Sequence, residues 1–165
     1  MSGNFDDEFA RRLTDVAASV AGLSEDEAVE ALDARLRQVR LNGVALHRLS
    51  LAQARGTLAR ALGEGADAEV IASLEELVVT IEASGPAETL PLGTPAQVAD
   101  PAAPEFDPEL AGNLEKLLTR HRENAVTILG LIAKVSVDGT DPTLLTTLEA
   151  LLNHDLEALS ELEPR

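Results

Sequence analysis

Apolar residues recur at every third or fourth position along most of the chain, which is the spacing of one face of an α-helix. The first such stripe is followed by Gly22, which is expected to end the helix, and Ser24 to Glu27 forms a capping-box sequence. A second helix is therefore predicted to begin at this point. The first stripe consists of Phe5, Phe9, Leu13, Val16, Val20 and Leu23.

The second helix can be interpreted in two ways because Asn42-Gly43 interrupts its pattern. If this pair forms a turn, the first half of the chain is a compact bundle of four helices. If it does not, one long helix runs to Gly63. We favour the continuous helix because no good N-cap follows Gly43, although an interior glycine costs about 1 kcal/mol relative to alanine. Asp67 is predicted to cap the next helix.

Five prolines and the absence of a helical period characterise residues 85–105. Such a segment buries too little apolar surface to offset its ordering entropy, so we expect an extended, mobile linker. The linker divides the chain into a helical unit over residues 1–84 and a second unit over residues 106–163.

The second unit begins with Asp107-Pro108, a pair typical of an N-cap followed by the first helical position. A long leucine-rich helix is predicted from there to Asp138-Gly139, and another from Asp141-Pro142. The stretch from Gly139 to Leu151 repeats the pattern from Gly65 to Leu77. The sequence therefore predicts an all-α protein made of two related helical hairpins or bundles joined by a Pro-rich linker.

A hairpin of this size buries too little surface to be stable alone, and the segment from Ile128 to Ile132 is apolar almost all round its helix. We expect it to pack against the first half, a second copy or another protein. Gly130 is the expected point of close helix approach, and a charged residue at Leu131 is expected to abolish assembly. The candidate apolar contact residues are Ile128, Leu131, Ile132, Leu148 and Leu152.

The composition restricts the chemistry of the 165-residue chain. It has three Phe, no Trp, no Tyr and no Cys, so the core is aliphatic and neither disulfides nor thiolate metal sites can form within it. The net charge of −16 disfavours nucleic acids and anionic membranes as partners. No secretory signal is visible and no uncharged stretch reaches the ~20 residues of a membrane span, so a cytoplasmic location is expected.

An arginine-rich stretch stands out against this acidic background. No Asp or Glu occurs from Ala34 to Gly63. The arginines could bind an acidic partner helix or a polyanion, or they could be neutralised by the flanking acidic helices. They are Arg35, Arg37, Arg40, Arg48, Arg55 and Arg60.

No motif predicts an enzyme. There is no Glu-x-x-His pair, no phosphate-binding glycine loop and no hydrolase elbow, so no catalytic, cofactor-binding or metal-binding residues are assigned and no cofactor is expected. We interpret His47, His121 and His154 as solvated or helix-surface side chains. His154-Asp155 is the one adjacent histidine–carboxylate pair.

The residues around His121 permit a second interpretation. His121 lies near the start of a helix, Asn124 follows, and an apolar helix, a corner and a leucine-rich helix come next. This layout resembles the dimerisation and phosphotransfer hairpin of two-component histidine kinases, which implies a phosphoacceptor role for His121. The family usually has an acidic residue directly after its histidine or an asparagine four residues on, whereas this chain has Arg122 and places Asn124 at three.

The sequence favours a non-enzymatic helical protein that acts through protein–protein contacts, with another protein or a second copy as the partner. The apolar contact residues and the arginines are the candidate surface. A phosphorelay or sensor component that uses His121 is the first alternative. A helical bundle that binds a small molecule is the second.

Overall fold

The computed structural model describes residues 20–85, 91–99, 107–137 and 141–163, together with residues 11, 14, 15, 17 and 18. Regular structure within this part of the chain is entirely α-helical, which confirms the predicted fold class. The chain forms two compact units, Met1–Arg40 and Leu41–Arg165. The helices whose bounds are described are α1 (Glu25–Glu64), α2 (Ala68–Ser84), α3 (Pro95–Val98), α4 (Pro108–Val137) and α5 (Pro142–Leu162).

The start of α1 follows from local chemistry. The backbone N–H and the hydroxyl of Ser24 both donate to Oε2 of Glu27, at 3.0 Å and 2.6 Å. Gly22, with φ of 92°, precedes this cap, whereas most of the first predicted stripe, from Phe5 to Val16, lies outside the described residues. The predicted helix start is therefore observed, with the serine hydroxyl donating to the carboxylate.

The helix α1 continues through Asn42-Gly43 without a turn and is 40 residues long. Asn42 is 2% exposed, and its Oδ1 accepts a hydrogen bond of 2.6 Å from Nδ2 of Asn113 in α4. Asn42 thus forms a buried polar contact between α1 and α4. The prediction of one continuous helix is confirmed.

The other helix starts differ in how they are capped. Oδ1 of Asp107 accepts from the N–H of Glu109 at 2.9 Å, and Oδ1 of Asp141 accepts from the N–H of Thr143 at the same distance. Asp67 occupies the N-cap position of α2 but makes no capping hydrogen bond with its side chain. Gly139 lies outside the described residues, so the proposed repeat of the two corners stays a prediction.

The second unit is built around the part of α1 that follows Arg40. Residues of α1 share one aliphatic cluster with α2 and two further clusters with α4 and α5. Because Val44 clusters with Leu110 whereas Ala59 clusters with Val135, α1 and α4 run in the same direction. The hairpin of α4 and α5 is therefore covered by the first half of its own chain, which was one of the three expected partners.

Part of the predicted linker is packed. Leu92 is 2% exposed and belongs to the cluster formed by α1, α4 and α5. Thr94 and Gln97 form a capping box around α3, with Pro95 in its first turn. Residues 91–99 therefore differ from the extended tether that was expected, because an apolar side chain anchors them. Residues 86–90 and 100–106 lie outside the described part of the chain.

The glycine contacts also differ from expectation. Gly130 is exposed, and a Cβ atom placed on it would meet no atom within 4 Å. The close approaches lie instead on α1, where a Cβ on Gly56 would collide with the Asn124 amide and one on Gly63 would lie 2.6 Å from the Leu131 side chain. The prediction for Gly130 is therefore wrong, because this glycine lies on the outer face of α4.

The cap of α1 yields a prediction about pH. The hydrogen bonds from the Ser24 hydroxyl and then its backbone N–H hold the pKa of Glu27 below its ordinary value. A lowered pKa means that the cap stabilises the helix above the ordinary pKa of a glutamate and that this stabilisation is lost as the pH falls through the folded-state pKa. In Ser24→Ala we expect the pKa of Glu27 to rise, as measured by NMR titration of its carboxyl carbon. Ser50→Ala on the same helix is the control, and an unchanged pKa in Ser24→Ala would contradict the assignment.

Candidate functional site

A network of buried polar side chains crosses the aliphatic core of the second unit. Nδ1 of His121 in α4 lies 2.6 Å from Oδ1 of Asp155 in α5, and the two side chains are only 9% and 5% exposed. Nδ2 of Asn124 donates to the carbonyl oxygen of Ala52 at 2.8 Å and to Oδ1 of Asp155 at 3.3 Å. The network therefore connects α1, α4 and α5.

The hydrogen-bond partners fix the orientation of each group. The Ala52 carbonyl can only accept, so the nitrogen of the Asn124 amide must face it. Oδ1 of Asp155 accepts from this amide, and we infer that it also accepts from Nδ1–H of His121. In the neutral form of the ring, Nε2 of His121 then carries the lone pair, and no described residue forms a hydrogen bond with Nε2.

The two α4 residues of the network continue the apolar stripe of that helix. Leu117, His121, Asn124 and Ile128 follow one another at steps of four, three and four, and all are buried. On α5, Asp155 lies seven residues after Leu148 and seven before Leu162, which are the other buried residues of that helix. The local pattern therefore places all three polar groups in the core.

The expectation of a surface position for His121 is wrong, since only 7% of the residue is exposed. His47 is half-buried, whereas His154 is exposed as expected. Asp155 was noted in the sequence beside His154, but it pairs with His121 across the hairpin. The signal that could have located the network is a polar residue at a core position of a helical stripe.

The apolar candidate residues lie in the core of the second unit. Ile128 and Leu148 are 1% and 0% exposed, and they cluster with Ala59 of α1. Leu131, Ile132 and Leu152 are half-buried and pack against the same cluster. These five residues therefore do not form an open docking face. A charge at Leu131 is now expected to disturb the fold itself.

Two of the candidate arginines are paired within the second unit. Nη1 of Arg48 contacts both carboxylate oxygens of Glu161, at 3.1 Å and 3.0 Å, and Nη2 of Arg55 contacts Oε1 of Glu82 at 2.6 Å. These contacts correspond to the interpretation in which flanking acidic helices neutralise the stretch. The other four candidates, Arg35, Arg37, Arg40 and Arg60, are exposed.

A cavity of about 220 Å³ adjoins the buried network and is lined by α1, α4 and α5. His121 lies in the wall of this cavity. The other charged or ionisable residues that line it are Arg48, Arg55, His154, Glu157 and Glu161. No group of three or more His, Asp or Glu residues in the described part of the chain has an arrangement that could hold a metal ion. The described helices also include none with the length and apolarity needed to cross a bilayer.

Comparison with known proteins gave no match, whether against models of protein families, curated proteins or solved structures.

The network predicts opposite effects for two glycine substitutions on α1. An interior Gly→Ala change usually stabilises a helix by about 1 kcal/mol, and Gly43→Ala should do so because its Cβ would meet no atom within 4 Å. Gly56→Ala should instead lower the free energy of unfolding, because its Cβ would displace the Asn124 amide from Ala52 and Asp155. Denaturant unfolding of the two variants measures the difference. Equal stabilisation by both would show that the Asn124 contacts contribute little.

Proposed function

We propose that this chain is a cytosolic, non-enzymatic helical protein that binds another protein through the outer face of α4. The observation that supports the proposal is the exposure of large apolar side chains there. Val126, Leu129 and Val137 are 72%, 53% and 85% exposed. The apolar segment picked out in the sequence thus has two faces, of which one is covered by α1 and the other lies open.

The open face is continuous along the helix. Val126, Leu129, Ala133 and Val137 follow one another at steps of three, four and four, and all four are exposed. Between Glu123 and Lys134 the helix has no charged side chain. A stripe of this width and spacing is what one amphipathic helix presents to another in helix-in-groove recognition.

The charge of the chain determines which occupant we propose. A second copy would bring another net charge of −16, and the two copies would repel each other. A helix from another protein, with apolar residues on one face and a net positive charge, matches both the open stripe and the net charge of the chain. We therefore propose a basic amphipathic helix as the partner. The proposed binding surface is the outer face of α4, and it replaces the arginine-rich surface expected from the sequence.

A single substitution on the open face should weaken this binding. In Leu129→Glu, a charge would replace a leucine buried by the partner, and we expect the partner's Kd to rise at least about tenfold. The partner is first identified by photo-crosslinking from position 129, and binding of the purified partner is then measured by calorimetry.

Val79→Glu is the matched control, because Val79 is 61% exposed but lies on α2. It should leave the Kd unchanged. Equal weakening by both variants would contradict the proposed face. A crosslink from position 129 to a second copy, together with a dimer in light scattering, would show self-association and would contradict the proposal of a different protein as the partner.

A second candidate function is phosphoryl acceptance at His121. The contact between Nδ1 and Asp155 favours it, because it places the lone pair of the neutral ring on Nε2, and the Asp155 carboxylate would stabilise the positive ring formed on attack. If an acyl phosphate is the donor, its P–O bond breaks as a new bond forms between phosphorus and Nε2 of His121. The carboxylate of the donor is the leaving group. Since the side chain is 9% exposed, the donor would be a small molecule.

Incubation with acetyl phosphate tests this second candidate. We expect an acid-labile mass increase of one phosphoryl group in the wild-type chain and in His154→Ala, and none in His121→Ala. His154 is the suitable control because it lines the same cavity on its exposed side. An unchanged mass in the wild-type chain would rule out phosphoryl acceptance from this donor.

A further inference from the structure

The cavity beside the buried network has the size and the lining of a site for a small polar molecule. Its volume is about 220 Å³, whereas a buried cavity of about 150 Å³ is enough to hold benzene. Ligands of roughly five to ten non-hydrogen atoms fit such a volume. Leu51, Ala52 and Ala158 form an apolar part of the wall, and the rest is polar.

His121 in this wall has one ring nitrogen without a hydrogen-bond partner among the described residues. If Nδ1 of His121 donates to Asp155, as inferred above, Nε2 can accept one hydrogen bond in the neutral form of the ring. The His121 side chain is 9% exposed, and His121 lines the cavity. A ligand that carries a hydroxyl group would supply the missing donor.

The same wall contains hydrogen-bond donors on two arginines. The guanidinium of Arg48 uses only Nη1 to contact Glu161, and that of Arg55 uses only Nη2 to contact Glu82. Their other N–H groups remain available, and the two side chains are 17% and 19% exposed. A carboxylate is the group whose geometry an arginine fork matches.

The charges at the opening restrict the number of negative charges on the ligand. Glu157 and Glu161 lie on the outer side of the cavity, where both are exposed, and Asp155 lies behind His121. These carboxylates would repel a dianion such as phosphate more strongly than a monoanion. We propose that the cavity binds a small hydroxy monocarboxylate, with its carboxylate on Arg48 and Arg55 and its hydroxyl donating to Nε2 of His121.

Three probes of nearly equal size test the two halves of this recognition. Lactate carries both groups, propionate lacks the hydroxyl, and propane-1,2-diol lacks the carboxylate. We expect saturable NMR shifts of the His121 ring nitrogens and the Leu51 methyl groups with lactate. Propionate should bind roughly threefold to tenfold more weakly, because it leaves Nε2 without a donor, and the diol should not saturate.

Variants of α1 and α5 locate the binding within the cavity. Arg55→Gln should weaken lactate binding by about tenfold, whereas Arg60→Gln should leave it unchanged because Arg60 is exposed on the same helix and does not line the cavity. Ala158→Leu keeps every charge but fills the cavity, so it should abolish lactate binding. This variant tests the site independently if Arg55→Gln disturbs the fold. Absence of saturation by lactate, equal binding of the diol, or binding that survives Ala158→Leu would each overturn the proposal. Saturation by phosphate in place of lactate would overturn it as well.

Discussion

The second unit depends on satisfying polar side chains inside a core of leucine, isoleucine, valine and alanine. Aliphatic contacts alone specify the register of two packed helices only weakly, because similar leucine side chains recur along each stripe. The amide of Asn124 forms its bonds only when the Ala52 carbonyl and the Asp155 carboxylate stand opposite it. Any other register would leave buried polar groups without partners, at roughly 1–3 kcal/mol for each group. We infer that this network sets how α4 and α5 align on α1.

Local capping chemistry could be predicted from the sequence, whereas contacts between distant residues could not. Ser24 with Glu27 and Asp107 with Pro108 indicate helix starts, because the groups that form each cap are neighbours in the chain. The capping box of Thr94 and Gln97 has the same signature, but the surrounding prolines favoured a linker. The pairing of His121 with Asp155 joins residues 34 positions apart, and no local pattern specifies it.

The sequence of the α4–α5 hairpin indicates that the hairpin needs a packing partner, but it does not indicate which side of α4 the partner covers. The need for a partner could be predicted, because Ile128 and Leu131 belong to a segment without charges. Which side would be covered depended on where α1 crosses α4, and the crossing is marked by Gly56 and Gly63 on α1. The covered side forms the core with the network, and the opposite side keeps Val126 and Leu129 exposed. One helix thus contributes to both the cavity and the proposed docking face.

The connectivity of the network has a consequence for folding kinetics. The contacts between α4 and α5 close only the short corner between them, whereas the Arg48–Glu161 contact joins residues 113 positions apart. Short closures cost less entropy than long ones, so the hairpin is expected to form before α1 docks on it. Bonds that require all three helices then belong to the last step. Changes at Asn124 should accordingly accelerate unfolding far more than they slow folding.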